Sequence, residues 1–517
     1  MTRKAAYPLI DVFAGPGGLG EGFSSLTRGK KDACFRSAIS IEQDEFAHRT
    51  LLLRHFLKSF KGGVLPEDYY RYLKGNITLS ELYELHPNEK AHAECSAIRI
   101  SLGADNQKCV RKLISERLQN QKKWALVGGP PCQAYSLVGR SRMMGDPEFE
   151  NDERHFLYKE YLRIIIDHAP PVFVMENVKG LLSARVNGEL VIKRITADLA
   201  SPKDALGMSS NGLGYRLYSL SEDELPGIEA DPRIFLVRAE EYGVPQARHR
   251  MFIVGVRKDI SIRPERLKPH KPPTLKQTIG NLPKIRSGIS RGGDSYDKWY
   301  REIEGLDPAT VCREMNGHEY ASDLMELMGI DLERPLKGLE KSSSKYPARP
   351  RLSHDVLDSI YDEQLSVLDS HESRSHMPSD LRRYAFAASF ASVTGKSPKL
   401  ADFPRSLLPD HANVEDGRAG KMFSDRFRVQ LPDQPSTTVT SHISKDGHYF
   451  IHYDPRQCRS LTVREAARLQ TFPDNYRFEG PRTSQYHQVG NAVPPYLARQ
   501  IAAIIADVLD QMKDGDA

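Results

Sequence analysis

Five short stretches of this chain carry residue types that do chemistry. Gly128-Gly129-Pro130-Pro131-Cys132-Gln133 sets a cysteine behind two prolines. The prolines stiffen the approach, and a thiolate on a rigid loop attacks well when its surroundings polarise it. An inert buried thiol would look the same, because free cysteine is among the most buried residue types. Met175-Glu176-Asn177-Val178 ends an apolar run on an acid. Poor solvation there raises a carboxyl's pKa, so Glu176 could hold a proton at neutral pH; a loop acid or helix cap is the plainer alternative. Gln246-Ala247-Arg248-His249-Arg250 alternates two arginines. In an extended segment they share a face, where their forks suit a base oxygen or a phosphate, though solvated edge charges fit too.

The fourth stretch is Phe13-Ala14-Gly15-Pro16-Gly17-Gly18. Its glycines let backbone amides approach a ligand, and Glu42, at the end of the next strand, could accept both ribose hydroxyls of an adenosine. A dinucleotide would fit as well, and so would a plain structural turn. The fifth, Gln488-Val489-Gly490-Asn491-Ala492-Val493-Pro494, turns into the last helix. Asn491 there either touches a ligand at the sheet edge or only holds the turn.

The elements that must position these groups are legible from hydrophobic pattern. Residues 7–14, 124–128, 171–176 and 251–256 read as strands, and a short one ends near Glu42. Their apolar runs are continuous, as in strands buried on both faces. Helical patterns follow at Leu19–Leu26, Phe46–Phe60, Gln107–Gln121 and Tyr158–Ile166. This alternation predicts an α/β fold with a doubly wound sheet. Residues 257–435 are rich in proline, serine and charge and read as a separate inserted domain; 1–256 and 436–517 read as the two parts of the sheet domain. A capping box at Thr462-Val463-Arg464-Glu465 starts a helix. The last helix, Tyr496–Met512, puts Leu497, Ile501, Ile504, Val508 and Met512 on one face.

Composition narrows the class. The 517 residues exceed one ordinary domain. The balance of 73 basic and 68 acidic residues, net +5, permits nucleic-acid binding without demanding it. None of the six cysteines forms a C-x-x-C pair, which argues against a zinc site and leaves no metal expected. Reduced thiols fit a cytoplasmic protein. No apolar run reaches the ~20 residues of a membrane span.

The motifs occur together and in a fixed order, and that set resembles the DNA (cytosine-5)-methyltransferase family of bacteria and phages. The order is Asp11 to Gly20, Glu42, Pro131-Cys132-Gln133, Glu176-Asn177-Val178, Gln246-x-Arg248-x-Arg250, Arg464-Glu-Ala-Ala-Arg-Leu-Gln-Thr-Phe-Pro473, and Gln488 to Pro494. The resemblance covers about 1–256 and 436–512. It implies a Rossmann-like S-adenosylmethionine-dependent sheet with a smaller target-recognition domain inserted. It also implies a reaction. Cys132 adds to C6 of a cytosine flipped out of the duplex, Glu176 hydrogen-bonds or protonates N3, and C5 takes the methyl group of S-adenosylmethionine. The C5 proton then leaves and Cys132 is eliminated. Arg248 would contact the flipped base and Arg250 would support it.

For the cofactor the resemblance implies Phe13, Ala14, Gly15, Gly18 and Leu19, with Glu42 on the ribose and Pro131, Leu157 and Asn491 completing the pocket. Asp105 and Asn106 would meet the adenine; they sit in Leu-Gly-Ala-Asp-Asn rather than the commoner Gly-Asp-Ile. The resemblance also implies that Gln133, Ser136 and Arg140 would contact DNA, Ser136 and the loop from Leu137 to Glu153 matching the segment that closes over it. Residues 257–435 would read the target, with Arg374, His376, Arg382, Arg383, Arg426 and Arg428 as polar groups for phosphates or bases. Double-stranded DNA is the partner expected of a monomer working at the nucleoid, without a membrane. No endonuclease motif is evident, so a restriction enzyme or defence protein would be a separate chain. The competing classes are an RNA cytosine methyltransferase, whose recognition segment is compact, a non-catalytic DNA-binding relative, and a dinucleotide oxidoreductase, which leaves the Pro-Cys loop unexplained.

Overall fold

A computed structural model describes residues 5–29, 32–131, 157–186, 188–208, 212–222, 231–290, 292–315, 317–333, 338–350, 352–409, 414–420, 424–445 and 447–513. The chain divides into two compact units. The first comprises Met1–Lys271, Phe478–Gly480 and Ala492–Ala517, the second Pro272–Arg477 and Pro481–Asn491.

The first unit is built on one sheet. Its strands are β1 (Tyr7–Val12), β2 (Phe35–Glu42), β3 (Ala97–Arg99), β4 (Ala125–Gly128), β5 (Val172–Val178), β6 (Tyr215–Tyr218), β7 (Leu236–Arg238) and β8 (His249–Arg257). The spatial order is β6-β8-β5-β4-β1-β2-β3, with β7 also pairing β8. From β3 to β5 the pairs are parallel, and β8 runs antiparallel to β5, β6 and β7. Strand order reverses between β1 and β4. In open α/β sheets the carboxyl edge at such a reversal is where ligands bind, and the glycine turn and the Pro-Cys loop both leave the sheet there.

Both faces are covered, which is why the strands carry no polar alternation. On one face α1 (Gly18–Ser25) and the last helix α8 (Pro495–Gln511) pack on Leu9, Val127, Val174 and Val254. On the other, α3 (Gln107–Leu118), α4 (Leu157–His168) and α5 (Val191–Ala200) cover Ile10, Leu126, Phe173 and Ile253. Contact between α1 and α8 needs bare helix surface. A Cβ on Gly18 would lie 2.3 Å from the Val493 carbonyl oxygen, and one on Gly22 would lie 2.4 Å from the Ala498 Cβ.

Three short helices, Glu67–Leu73, Leu79–Leu85 and Pro87–Ser96, sit between α2 (Glu45–Lys58) and β3. They enclose Leu53, Phe56, Tyr69, Tyr72 and Leu82. Phe478–Gly480 docks onto this region: Glu479 N donates to the Thr50 hydroxyl at 2.7 Å, and Tyr72 OH donates to Glu479 at 2.7 Å.

The second unit closes around Trp299, Leu381, Tyr384, Phe386, Phe403 and Phe427, with α6 (Pro378–Thr394) as its longest described helix. Its limits differ from those expected of an insert at 257–435. Residues 258–271 pack with the sheet, where Ile260 and Leu267 join the core and Lys258 N donates to Gly214 O. The stretch from 436 adds no described strand to the main sheet; it returns as helix α8. Helix α7 (Val463–Leu469), carrying the Arg-Glu-Ala-Ala-Arg motif, belongs to the second unit. The reason is a set of buried ion pairs. Arg459 grips Glu465 with two 2.7 Å contacts, Arg468 grips Asp474 at 2.9 and 2.7 Å, and fully buried Arg464 caps the carbonyls of Asp369, Pro473 and Tyr476. Such pairs are costly to break once buried, so this motif ties the unit together.

Candidate active site

The site is assembled at the carboxyl edge of the sheet. Leaving β1, the chain turns sharply, with positive φ at Phe13 (56°), Gly15 (57°) and Gly17 (96°). A side chain is uncommon in that region, and two backbone bonds hold the turn: Ala14 N to Ile41 O at 3.0 Å and Gly17 N to Ala14 O at 2.9 Å. Glu42 clamps it from the neighbouring strand. Its Oε2 accepts from Gly15 N at 2.7 Å, while Oε1 accepts from Gln43 N and Asp44 N at 2.8 Å each. A carboxylate has about four acceptor sites, so Oε2 keeps capacity for another donor. Among the described residues nothing lies within 4 Å of where a Cβ of Gly15 would be, so they leave space open beside the turn.

The other residues expected at the cofactor fall in several places. Ala14 and Leu19 are buried in the unit, and Gly18 is pressed on Val493, so its missing side chain serves helix packing. Asp105 is exposed; Asn106 donates to Ser101 O at 2.9 Å. The Ser101 hydroxyl in turn donates to Gln43 Oε1 at 3.0 Å, tying the segment after β3 to the residue after Glu42. Leu157 opens α4 and Pro131 is half-buried. Asn491 ends the helix Arg482–Asn491 in the second unit, just before Ala492 and Val493, which pack on Gly18. Cys132, Gln133, Ser136 and Arg140 lie outside the described residues.

At the end of β5 the Glu176 side chain is 12% exposed, and Arg250 on β8 reaches it with Nε 3.2 Å from Oε1. Its other oxygen packs on Gly129, where a Cβ would come within 2.9 Å of Oε2. Burial pushes the Glu176 carboxyl above the usual range, although Arg250 and then Arg248 pull it down. Arg248 is fully buried, and burial, then Arg250, lowers its own pKa. Thus Glu176, Arg248 and Arg250 are electrostatically coupled, and Glu176 touches the glycine that leads to the Pro-Cys loop. An acid whose pKa is raised by burial, with an arginine on one oxygen, is suited to giving up and retaking a proton.

Two groups were not singled out from sequence. Asn177 donates from Nδ2 to Pro130 O at 3.1 Å. Asp11, in β1 beneath the glycine turn, is buried; desolvation pushes it up to about 7, with Lys58 pulling it down. In sequence the first was the middle of a Glu-Asn-Val run and the second the opening residue of the glycine-turn motif, with no role assigned to either.

Comparison with known proteins decides what this site belongs to. The family model for C-5 cytosine-specific DNA methylases matches residues 103–507. The chain belongs to that family. It is a DNA (cytosine-5-)-methyltransferase. Type II methyltransferase M.Bpa9945I of Bacillus paralicheniformis is 32% identical over 524 residues, covering 97% of this chain and 99% of that protein. DNA (cytosine-5-)-methyltransferase M.ApeKI of Aeropyrum pernix is 28% identical over 423 residues, covering 74% of this chain and 81% of its own. A structure described as a candidate DNA modification methyltransferase from an E. coli prophage shares the fold, with a TM-score of 0.52 and 18% identity over 98% of this chain and 100% of that one. For this methyltransferase, membership implies DNA as substrate and S-adenosylmethionine as methyl donor.

In the second unit, most basic groups named above as candidate DNA contacts have partners inside the protein. Arg374 bonds the carbonyls of Ile443 and Ser444 and lies over the Tyr486 ring. His376 is buried against the Ser460 hydroxyl and pushed down to about 3, largely by burial. Arg382 pairs Glu302, Arg383 pairs Asp380, and Arg428 pairs Asp425. Their donors serve the fold, which weakens the reading of these five as DNA contacts.

Proposed function

We propose that this enzyme methylates C5 of a flipped-out cytosine within a specific duplex sequence, through a covalent adduct between Cys132 and C6. The observation that carries the reading is the placement of Glu176: pushed up by burial, held by Arg250, and packed on Gly129, three residues before Cys132. The Cys132 thiolate gives an electron pair to C6. The C5=C6 π pair moves to form C4=C5, the C4=N3 π pair moves onto N3, and N3 takes a proton from Glu176. Arg250 stabilises the carboxylate left behind. When C5 forms its new bond, the N3 proton returns to Glu176. The C5 proton then leaves to water, and the electron pair it releases expels the Cys132 thiolate. S-adenosylmethionine, when bound, supplies the electrophilic methyl group that C5 takes. The glycine turn fits that group: open space beside Gly15, a spare acceptor on Glu42 for a ribose hydroxyl, and an exposed carboxylate at Asp105 for an adenine amine.

The second unit reads the DNA word, and the modification half of a restriction–modification pair is the biological role favoured by the type II names of the relatives. A separate endonuclease would supply cleavage, and the methyltransferase works as a monomer. Methyl transfer to duplex DNA and to tRNA, measured side by side with wild-type enzyme and Cys132→Ser, tests this. Transfer to a discrete DNA site by wild type alone is the expected result. Transfer to tRNA alone, or appreciable turnover by Cys132→Ser, would overturn it.

A further inference from the structure

Asn177 follows Glu176 on β5, and the mechanism above leaves it without a role. The residue is 3% exposed. Oδ1 accepts from Val178 N at 2.9 Å, which turns the NH2 end toward Pro130 O, 3.1 Å away. That bond matters because of what it holds. Neither Pro130 nor Pro131 has an N–H, so their carbonyls are the polar handles by which hydrogen bonds can restrain the dipeptide. Asn177 takes the Pro130 handle. One residue earlier, Gly129 sits against Glu176 Oε2. The acid strand therefore grips the loop at two adjacent points, once by packing and once by a buried hydrogen bond.

We propose that Asn177 is a positioning residue: by holding the Pro130 carbonyl it sets the register of the loop carrying Cys132 against the Glu176 carboxyl. This rests on the reading of Cys132 as nucleophile. Sulfur attack at C6 and proton delivery at N3 must reach one ring together, and misplacement by about 1 Å can cost about a hundredfold. Asn177→Asp keeps the shape and the bond from Val178 N but turns an acceptor toward Pro130 O.

The test uses the full-length enzyme and duplex DNA carrying 5-fluorocytosine at the target. Asn177→Asp should slow single-turnover adduct formation by about tenfold or more. KM for DNA and cofactor should stay within about threefold, and iodoacetamide should alkylate Cys132 at the wild-type rate, because the thiol is misplaced rather than altered. Asn177→Ser, a smaller change, gives a second reading should the Asp variant fold poorly. Adduct formation at the wild-type rate in a folded variant would overturn the proposal. So would losses in kcat that merely track a rise in KM and a fall in Tm, since those indicate structural support. Absence of any adduct with the wild type would sink the Cys132 reading, and this proposal with it.

Discussion

Gly129→Ala is the substitution whose effect is best worked from the geometry. The added Cβ would stand 2.9 Å from Glu176 Oε2, where ordinary van der Waals contact begins at 3.4 Å. Something must give by about half an ångström. The carboxyl cannot retreat freely, because Oε1 already meets Arg250 at 3.2 Å, and the loop is restrained at Pro130 by Asn177. If a 1 Å error costs about a hundredfold, half of it costs about tenfold, or about 1.4 kcal/mol of transition-state stabilisation. The loss should appear in kcat, since neither the cofactor turn nor the second unit is touched. Single-turnover methyl transfer under saturating DNA and cofactor measures it, with Tm as the check on folding. An unchanged kcat in a folded Gly129→Ala enzyme would refute the claim that Glu176 acts where it packs on this loop.

Three further outcomes follow from the same structure. Glu176→Gln should lower kcat by about 10²–10⁴; because burial raises the wild-type pKa and the protonated acid is the working form, wild-type rate should fall as pH rises through that raised value, and the Gln variant should lose this limb. Glu42→Gln should raise KM for S-adenosylmethionine with little change in kcat, and isothermal titration with the cofactor product would show the same weakening. Glu21 is held down to about 2 by Arg54 and Lys58 although burial alone would raise it. Its contribution is therefore full above the unfolded value near 4.5 and is lost as pH falls toward 2; Glu21→Ala should destabilise by about 3–5 kcal/mol at neutral pH in denaturant titrations.

The sheet was legible because strands buried on both faces write themselves as continuous apolar runs, whether parallel like Tyr7–Val12 or antiparallel like His249–Arg257, and these and Val172–Val178 fall where those runs lie. Unit boundaries were less so. The basic segment after Val256 reads like the start of an insert, yet Ile260 and Leu267 join the core of the first unit. The Arg464-Glu465 motif likewise reads as part of the sheet domain, while its ion pairs to Asp474 and Arg459 bind it elsewhere. Of the site, residue types and order could be read. Contacts across the sheet could not: nothing in a linear pattern shows that Arg250 meets Glu176, that Gly129 leaves room for that carboxyl, or that Asn177 reaches Pro130. The basic residues at 374–428 look like nucleic-acid contacts by type, and only the fold reveals how many are engaged at home.

Attack of Cys132 on the base leaves a product that can be isolated. Duplex DNA with 5-fluorocytosine at the methylated position arrests the reaction after methyl transfer, because fluorine cannot leave as a proton. Incubation with enzyme and S-adenosylmethionine, then denaturing electrophoresis and peptide mass spectrometry, should give a DNA-linked species mapped to the peptide containing Cys132 and absent from Cys132→Ser. A site-specific methyltransferase activity that forms no such species, or forms it on another cysteine, would contradict the account.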